Sequence, residues 1–293
     1  MSNHLKGLLI AFFGVLVLTP EGILVKLADS DSFTILFWRG IFFALSILII
    51  LFIGYGSRAV NEIKSIGKEG ILIGCLTGLG GATFILAIHY TTLAKTLVII
   101  SASPLMVALV SFLLLKEKPK IFTWLAMVVV FFGIYIVMSG DTSGLNLKGS
   151  LFALASVTTG GFSFTLLRKY KEVNMVPAMA INGLFITLVG LIFAESLALT
   201  SQAMTYIVIS SVLVAISFTL ITIAPQYIPA PEVAIFFPMG TVIGTLLAWL
   251  VLKEELSNNA VFGGVIVVLT LFIHSIYSAR PVSYTHLTLP TKA

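Results

Sequence analysis

Charged residues are scarce in this chain: Asp, Glu, Lys and Arg make up 10% of 293 residues, while 58% are hydrophobic. Soluble domains carry about a quarter charged residues, so these side chains cannot cover a water-facing surface. Cysteine is scarcer still. The single Cys75 excludes a disulfide within the chain, and its apolar surroundings make it a small hydrophobe. Short segments of alternating polarity are missing too, and runs such as 41–53 and 124–138 are continuously apolar, which excludes a transmembrane β-barrel. No Gly-x4-Gly-Lys-Ser/Thr loop exists for ATP hydrolysis, and Gly78, Gly80 and Gly81 lie inside an apolar run without the strand–helix setting of a dinucleotide site. His-x3-His, Cys-x2-Cys and paired-carboxylate patterns are absent as well. No metal, no cofactor and no enzymatic chemistry are expected.

Present instead are apolar runs of spanning length, and the fold class expected is all-α integral membrane. Bounded by charges, Gly and Pro, the runs predict ten transmembrane helices: 5–27, 32–53, 70–90, 93–115, 120–138, 149–168, 175–194, 204–225, 231–252 and 259–279. The first has no cleavage pattern behind it and reads as a retained helix. Residues 281–293 are polar, unrelated in character to the rest and closer to translated adapter sequence, so they read as a non-native or disordered tail. Lys and Arg cluster between runs, which argues against a nucleic-acid partner and for the positive-inside signal. With the N-terminus inside, one side holds Lys6, Arg58, Lys64, Lys68, Lys116, Lys118, Lys120, Arg168, Lys169, Lys171 and Arg280, the other only Lys26, Lys148 and Lys253. Both termini are expected in the cytoplasm, with the protein in the cell inner membrane.

The chain also repeats itself. Leu115-Lys116-Glu117 recurs as Leu252-Lys253-Glu254 at an offset of 137, which also relates Tyr90 to Tyr227, Ala126 to Gly263 and Lys95 to Glu232. An offset of 142 relates Lys6-Gly7 to Lys148-Gly149, Ala11 to Ala153, Val15 to Val157 and Lys26 to Arg168. The difference falls in the loop after the second helix of each half, where length changes easily. Residues 1–140 and 141–280 thus form two five-helix repeats. An odd helix number makes the second repeat inverted, a recurring basis of alternating access with substrate near the midplane.

Two five-helix halves, Phe37-Trp38-Arg39-Gly40, Ser103-Pro104-Leu105 before Leu115-Lys116-Glu117, and the echo Leu252-Lys253-Glu254 resemble the EamA branch of the drug/metabolite transporter superfamily over about residues 5–280. That family commonly has Gly where Lys116 and Lys253 stand here, and Pro238 lies farther from Glu254 than Pro104 does from Glu117. The resemblance implies a metabolite carrier, often an exporter, with a central cavity lined mainly by the first, third, fourth, sixth, eighth and ninth helices.

Charges inside a membrane are functional candidates by default. Glu21 lies about six residues before the outer end of the first helix and Arg39 about seven after the outer start of the second, so both sit roughly 10 Å deep and can pair. The pair either staples two helices, or gates and binds, Arg39 offering a fork to a carboxylate while Glu21 takes a proton or meets an amine. Pro20 frees a carbonyl beside the charge. Lys95, near His89 and Tyr90, either snorkels to the interface or adds a cation to an outer vestibule, with Glu232 its repeat-mate. Pro104 and Pro238 interrupt the fourth and ninth helices, where Ser101, Ser103 and Thr241 can supply hydroxyls. Glycines of the third, sixth and ninth helices read as close packing or hinges; Trp124 and Trp249 read as interfacial anchors. The expected partners are a small charged solute such as an amino acid, the bilayer and, on one option, protons, for a monomer or homodimer. An intramembrane enzyme or lipid-handling protein and a channel-like scaffold remain as alternatives.

Overall fold

The computed structural model describes residues 3–139, 144–224, 227–228, 233, 236–254 and 257–279. Its elements are α1 (Asn3–Leu18), α2 (Glu21–Leu27), α3 (Ser32–Tyr55), α4 (Ala59–Ser65), α5 (Gly67–Tyr90), α6 (Leu93–Ile100), α7 (Ser103–Leu115), α8 (Ile121–Ser139), α9 (Gly144–Lys169), α10 (Ala178–Phe193), α11 (Ser201–Ile223), α12 (Phe236–Leu247, followed by a π-helical turn Ala248–Leu252) and α13 (Asn258–Ala279). Among the described residues there is no strand. Seven stretches among the described residues are long and apolar enough to cross a bilayer: His4–Leu27, Ser32–Ser65, Gly67–Tyr90, Leu93–Leu115, Ile121–Ser139, Asn146–Lys169 and Ser201–Ile223. Ala178–Phe193, Phe236–Leu252 and Asn258–His274 are shorter apolar helices. Large apolar side chains such as Ile53, Phe132 and Phe262 are exposed on the outside, where lipid replaces water as solvent. The chain is a multi-pass membrane protein.

The expected continuous helix over 5–27 is corrected to two pieces. Thr19 donates its N–H only to Leu16 O, at 3.2 Å, and turns its hydroxyl back on Val15 O at 3.1 Å. Pro20 then has no N–H to give, so the ladder stops and α2 begins at Glu21. The expected helix over 93–115 is likewise split, at Ser101–Ala102. Pro104 does not itself break it; it stands in the first turn of α7, where a missing N–H needs no partner. Pro238 sits in the first described turn of α12. The link between the second and third expected helices carries a short helix, α4, that the apolar pattern does not announce. Asn174 ties it down, donating to Tyr55 OH at 3.0 Å and Glu62 Oε2 at 2.9 Å.

Packing pairs helices from the two halves of the chain. α3 lies on α10, α8 on α13, α5 on both α9 and α10, and α11 on both α1 and α3. The α3–α10 crossing brings backbones together: a Cβ on Gly183 would stand 2.8 Å from Gly40 O, and one on Gly40 would strike Gly183 O and Thr187. Only glycine admits that approach.

Four kinds of contact occur twice. Lys26 pairs with Glu254 at 3.8 Å, and Arg168 with Glu117 at 3.2 Å. Lys6 Nζ lies 4.6 Å from the Tyr227 ring centre, and Lys148 Nζ 5.7 Å from that of Tyr90. Ser217 donates to Gly14 O at 2.8 Å, and Ser156 to Gly80 O at 2.9 Å. Gly7 lies tight against Ile228 and Gly149 tight against Thr91.

Lys116 and Lys253 are both left-handed helix caps, with φ of 56° and 52°. A left-handed C-terminal residue is the place where helices prefer glycine, so the two Lys stand where backbone geometry favours a residue without Cβ.

Candidate functional site

Between the two halves lies a cavity of about 230 Å³. Five of the residues singled out by sequence line it: Glu21 from α2, Arg39 from α3, Ser101 and Ser103 around the α6–α7 break, and Thr241 from α12. The Thr19–Pro20 break swings Glu21 to the first position of α2, facing Arg39 across the α2–α3 hairpin. Asp31 sets that hairpin by capping α3, accepting from Phe33 N at 3.0 Å and Thr34 N at 2.9 Å.

Arg39 Nη2 donates to Glu21 Oε1, and the side chains are only 6% and 8% exposed. The matching depths deduced from sequence therefore correspond to a contact. Arg39 Nε has no partner among the described residues, although it is buried. Its backbone carbonyl accepts from Ser211 Oγ at 3.3 Å, which locks α3 to α11 beneath the site. No other charged side chain lines the cavity among the described residues, so Glu21 and Arg39 leave its wall with no net charge.

Other site residues fall elsewhere. Tyr90 stacks on Phe152 at 5.8 Å and meets the His89 ring edge-on; neither lines the cavity. Lys95 is buried in α6, its backbone N–H capped by Thr92 Oγ1 at 3.3 Å, and is also outside the lining. Pro104 follows the lining residue Ser103 without lining the cavity itself. Glu232 and the tail 281–293 lie outside the described residues.

The cavity wall contains residues that sequence reasoning passed over. Thr77 and Ser163 face each other across α5 and α9 at 2.5 Å. Asn182 of α10 is buried, and its Oδ1 has no partner among the described residues. Phe84, Phe164, Phe218, Phe237 and Met179 supply an apolar wall. Gly80, Gly81 and Gly160, read from sequence as packing or hinge positions, also line the cavity, and a Cβ on Gly160 would meet nothing within 4 Å. There, small size keeps volume open. Arg39, Met179 and Asn182 bring α3 and α10 into the lining, so the second and seventh expected helices join the six that the family resemblance names.

One further polar cluster adjoins the cavity-lining Leu93. Glu254 accepts the Leu93 N–H at 3.0 Å through Oε1 and the Ala94 N–H at 3.2 Å through Oε2, capping α6, while Lys26 also donates to Thr91 O at 3.1 Å. A carboxylate at a helix N-terminus gains from the helix dipole as well as from the bonds.

The sequence model of the EamA-like transporter family matches this chain twice, over residues 5–139 and 147–276. The chain belongs to the EamA-like transporter family. A protein of Methanothermobacter thermautotrophicus named as an uncharacterized transporter is 23% identical over 209 residues, a match covering 68% of this chain and 58% of that protein. The chain thus spans somewhat more than half the length of this relative. One crystal structure of a protein superposes with a TM-score of 0.65 at 14% identity, covering 95% of this chain and 100% of the other, a likeness of fold. The cavity lies between the two halves that match the family.

Proposed function

We propose that the chain is a secondary carrier of a small charged metabolite such as an amino acid, working by alternating access between two inverted five-helix repeats, residues 1–140 and 141–280. The observation that carries this reading is the buried Glu21–Arg39 pair on the wall of a cavity between the halves. Such a wall offers opposite charges to the two ends of a zwitterion, and the phenylalanines around it suit an apolar remainder.

The duplicated contacts support the inverted repeat. Lys26 corresponds to Arg168 at an offset of 142 and Glu254 to Glu117 at 137, so the two ion pairs exchange when the halves are exchanged. The same offsets exchange Lys6–Tyr227 with Lys148–Tyr90, Gly14–Ser217 with Ser156–Gly80, and Gly7–Ile228 with Gly149–Thr91. Four such swaps favour an inverted repeat over coincidence. Ten spans follow if the three shorter apolar helices also cross, and the distribution of Lys and Arg favours cytoplasmic termini in an inner membrane. Lys26–Glu254 then closes the outer end and Arg168–Glu117 the inner.

Export is the favoured direction by family resemblance, with proton coupling through Glu21 as its driving option. Purified protein in proteoliposomes tests the reading: saturable, exchangeable flux of an amino acid is expected, and Arg39→Lys, which keeps charge but loses the planar fork, should lower it at least tenfold. Unchanged flux in Arg39→Lys defeats the carboxylate clamp. Flux that does not saturate supports a channel, and product formed without net movement an enzyme.

A further inference from the structure

Two buried hydrogen-bonding atoms on the cavity wall have no partner among the described residues, Arg39 Nε and Asn182 Oδ1. An unpaired buried polar atom is a penalty that folding alone does not explain. Arg39 already has a partner in Glu21, and its spare N–H asks for an acceptor. Asn182 is different. It is 5% exposed, stands in the largely apolar helix α10, and its Oδ1 accepts no hydrogen bond among the described residues. The next residue, Gly183, makes the close crossing with Gly40, which follows Arg39. The crossing therefore fixes Asn182 on one half and Arg39 on the other as neighbours in sequence of its two contact points, both facing the same cavity.

We infer that Asn182 is a substrate-contacting selectivity residue, whose carboxamide accepts a hydrogen bond from an N–H or O–H of the solute while Arg39 Nε donates to an acceptor on it. This rests on the carrier reading above. A carboxamide bonds without adding charge. With Glu21 and Arg39 cancelling each other, a neutral third group keeps the wall balanced, so the site takes solutes of no net charge and rejects cations and anions of similar shape. Asp at the same position would tip the wall to a net negative charge and invert that preference.

The test uses leucine as a net-neutral probe, leucinamide as its cation and N-acetylleucine as its anion, in proteoliposomes containing the full chain. Wild type should take up leucine in preference to the other two. Asn182→Leu should raise the leucine KM by about tenfold, the size expected when one hydrogen bond is lost in a dry site. Its melting temperature should hold or rise, because an unpaired buried polar group has been replaced by an apolar one. Asn182→Asp should shift preference toward leucinamide by about tenfold or more. A leucine KM and selectivity unchanged in both variants overturn the inference while the carrier stands. So does a drop in melting temperature with KM intact, since Asn182 would then serve the fold. If wild type carries no leucine, it is the carrier reading for amino acids that fails.

Discussion

Glu254→Gln separates the two ends of the molecule energetically. Glu254 holds three groups at once: the Leu93 and Ala94 N–H groups at 3.0 and 3.2 Å and Lys26 at 3.8 Å, with its side chain 12% exposed. Gln keeps one acceptor oxygen and loses the charge, leaving one helix N–H without a partner. Losing the charge on those bonds, its interaction with the helix end and the part-exposed Lys26 pairing removes roughly 2–3 kcal/mol. On the orientation and alternating access proposed above, and at about 1.4 kcal/mol per decade, the closed outer end would lose about 30- to 140-fold in population relative to the open one. The counterpart Arg168–Glu117 is 48% and 43% exposed and is screened by water, so Glu117→Gln should change the inner end by less than about fivefold. The readout is the rate at which a membrane-impermeant maleimide modifies Ser103→Cys on the cavity wall, in a Cys75→Ser background, applied from either side of oriented vesicles. Glu254→Gln should accelerate labelling from outside; Glu117→Gln should barely alter labelling from inside. Equal effects of the two substitutions, or none from Glu254→Gln, would refute the unequal-closure argument.

Backbone geometry supplies two further expectations. Lys116→Gly and Lys253→Gly should each stabilise the protein by about 0.5–1 kcal/mol, the left-handed strain relieved minus glycine's extra chain entropy, seen as a higher melting temperature in detergent with flux unchanged; a lower one at either site would contradict the cap assignment. Gly183→Val should destroy folded yield in size-exclusion profiles, because even its Cβ would lie 2.7 Å from Ala44 Cβ. Gly54→Ala, where a Cβ meets nothing within 4 Å, should leave the profile unchanged, and a collapse there would show that glycine loss alone is the cause.

Most of the helices were legible in sequence because seven of the apolar stretches among the described residues are membrane-length objects whose solvent is lipid. Their breaks were less so. Pro20 announced a missing hydrogen bond, but whether a helix bends or stops there depends on Thr19 and on what packs behind it. Glu21 and Arg39 were legible as partners because depth along two antiparallel helices is simple arithmetic. Lys95, His89 and Tyr90 share a depth with one another yet stay out of the cavity, since depth says nothing about which way a helix face turns. Asn182 had a signal that was missed: an amide within the apolar run of α10 is as exceptional as a charge is elsewhere. Thr77 and Ser163 had none, because hydroxyls inside membrane helices usually bond to their own backbone, as Thr77 also does with Ile73 O at 2.7 Å.

The glycine crossing of α3 and α10 has a mechanical consequence. Helices normally lock by setting ridges of side chains into grooves, and turning one against the other means lifting every ridge out. Gly40 and Gly183 contribute no ridge of their own, and the backbones meet there with only the small side chains of Ala44 and Thr187 beside them. In the alternating-access cycle proposed above, such a joint would serve as a pivot pin, leaving the work of switching sides to the clasps at the rims.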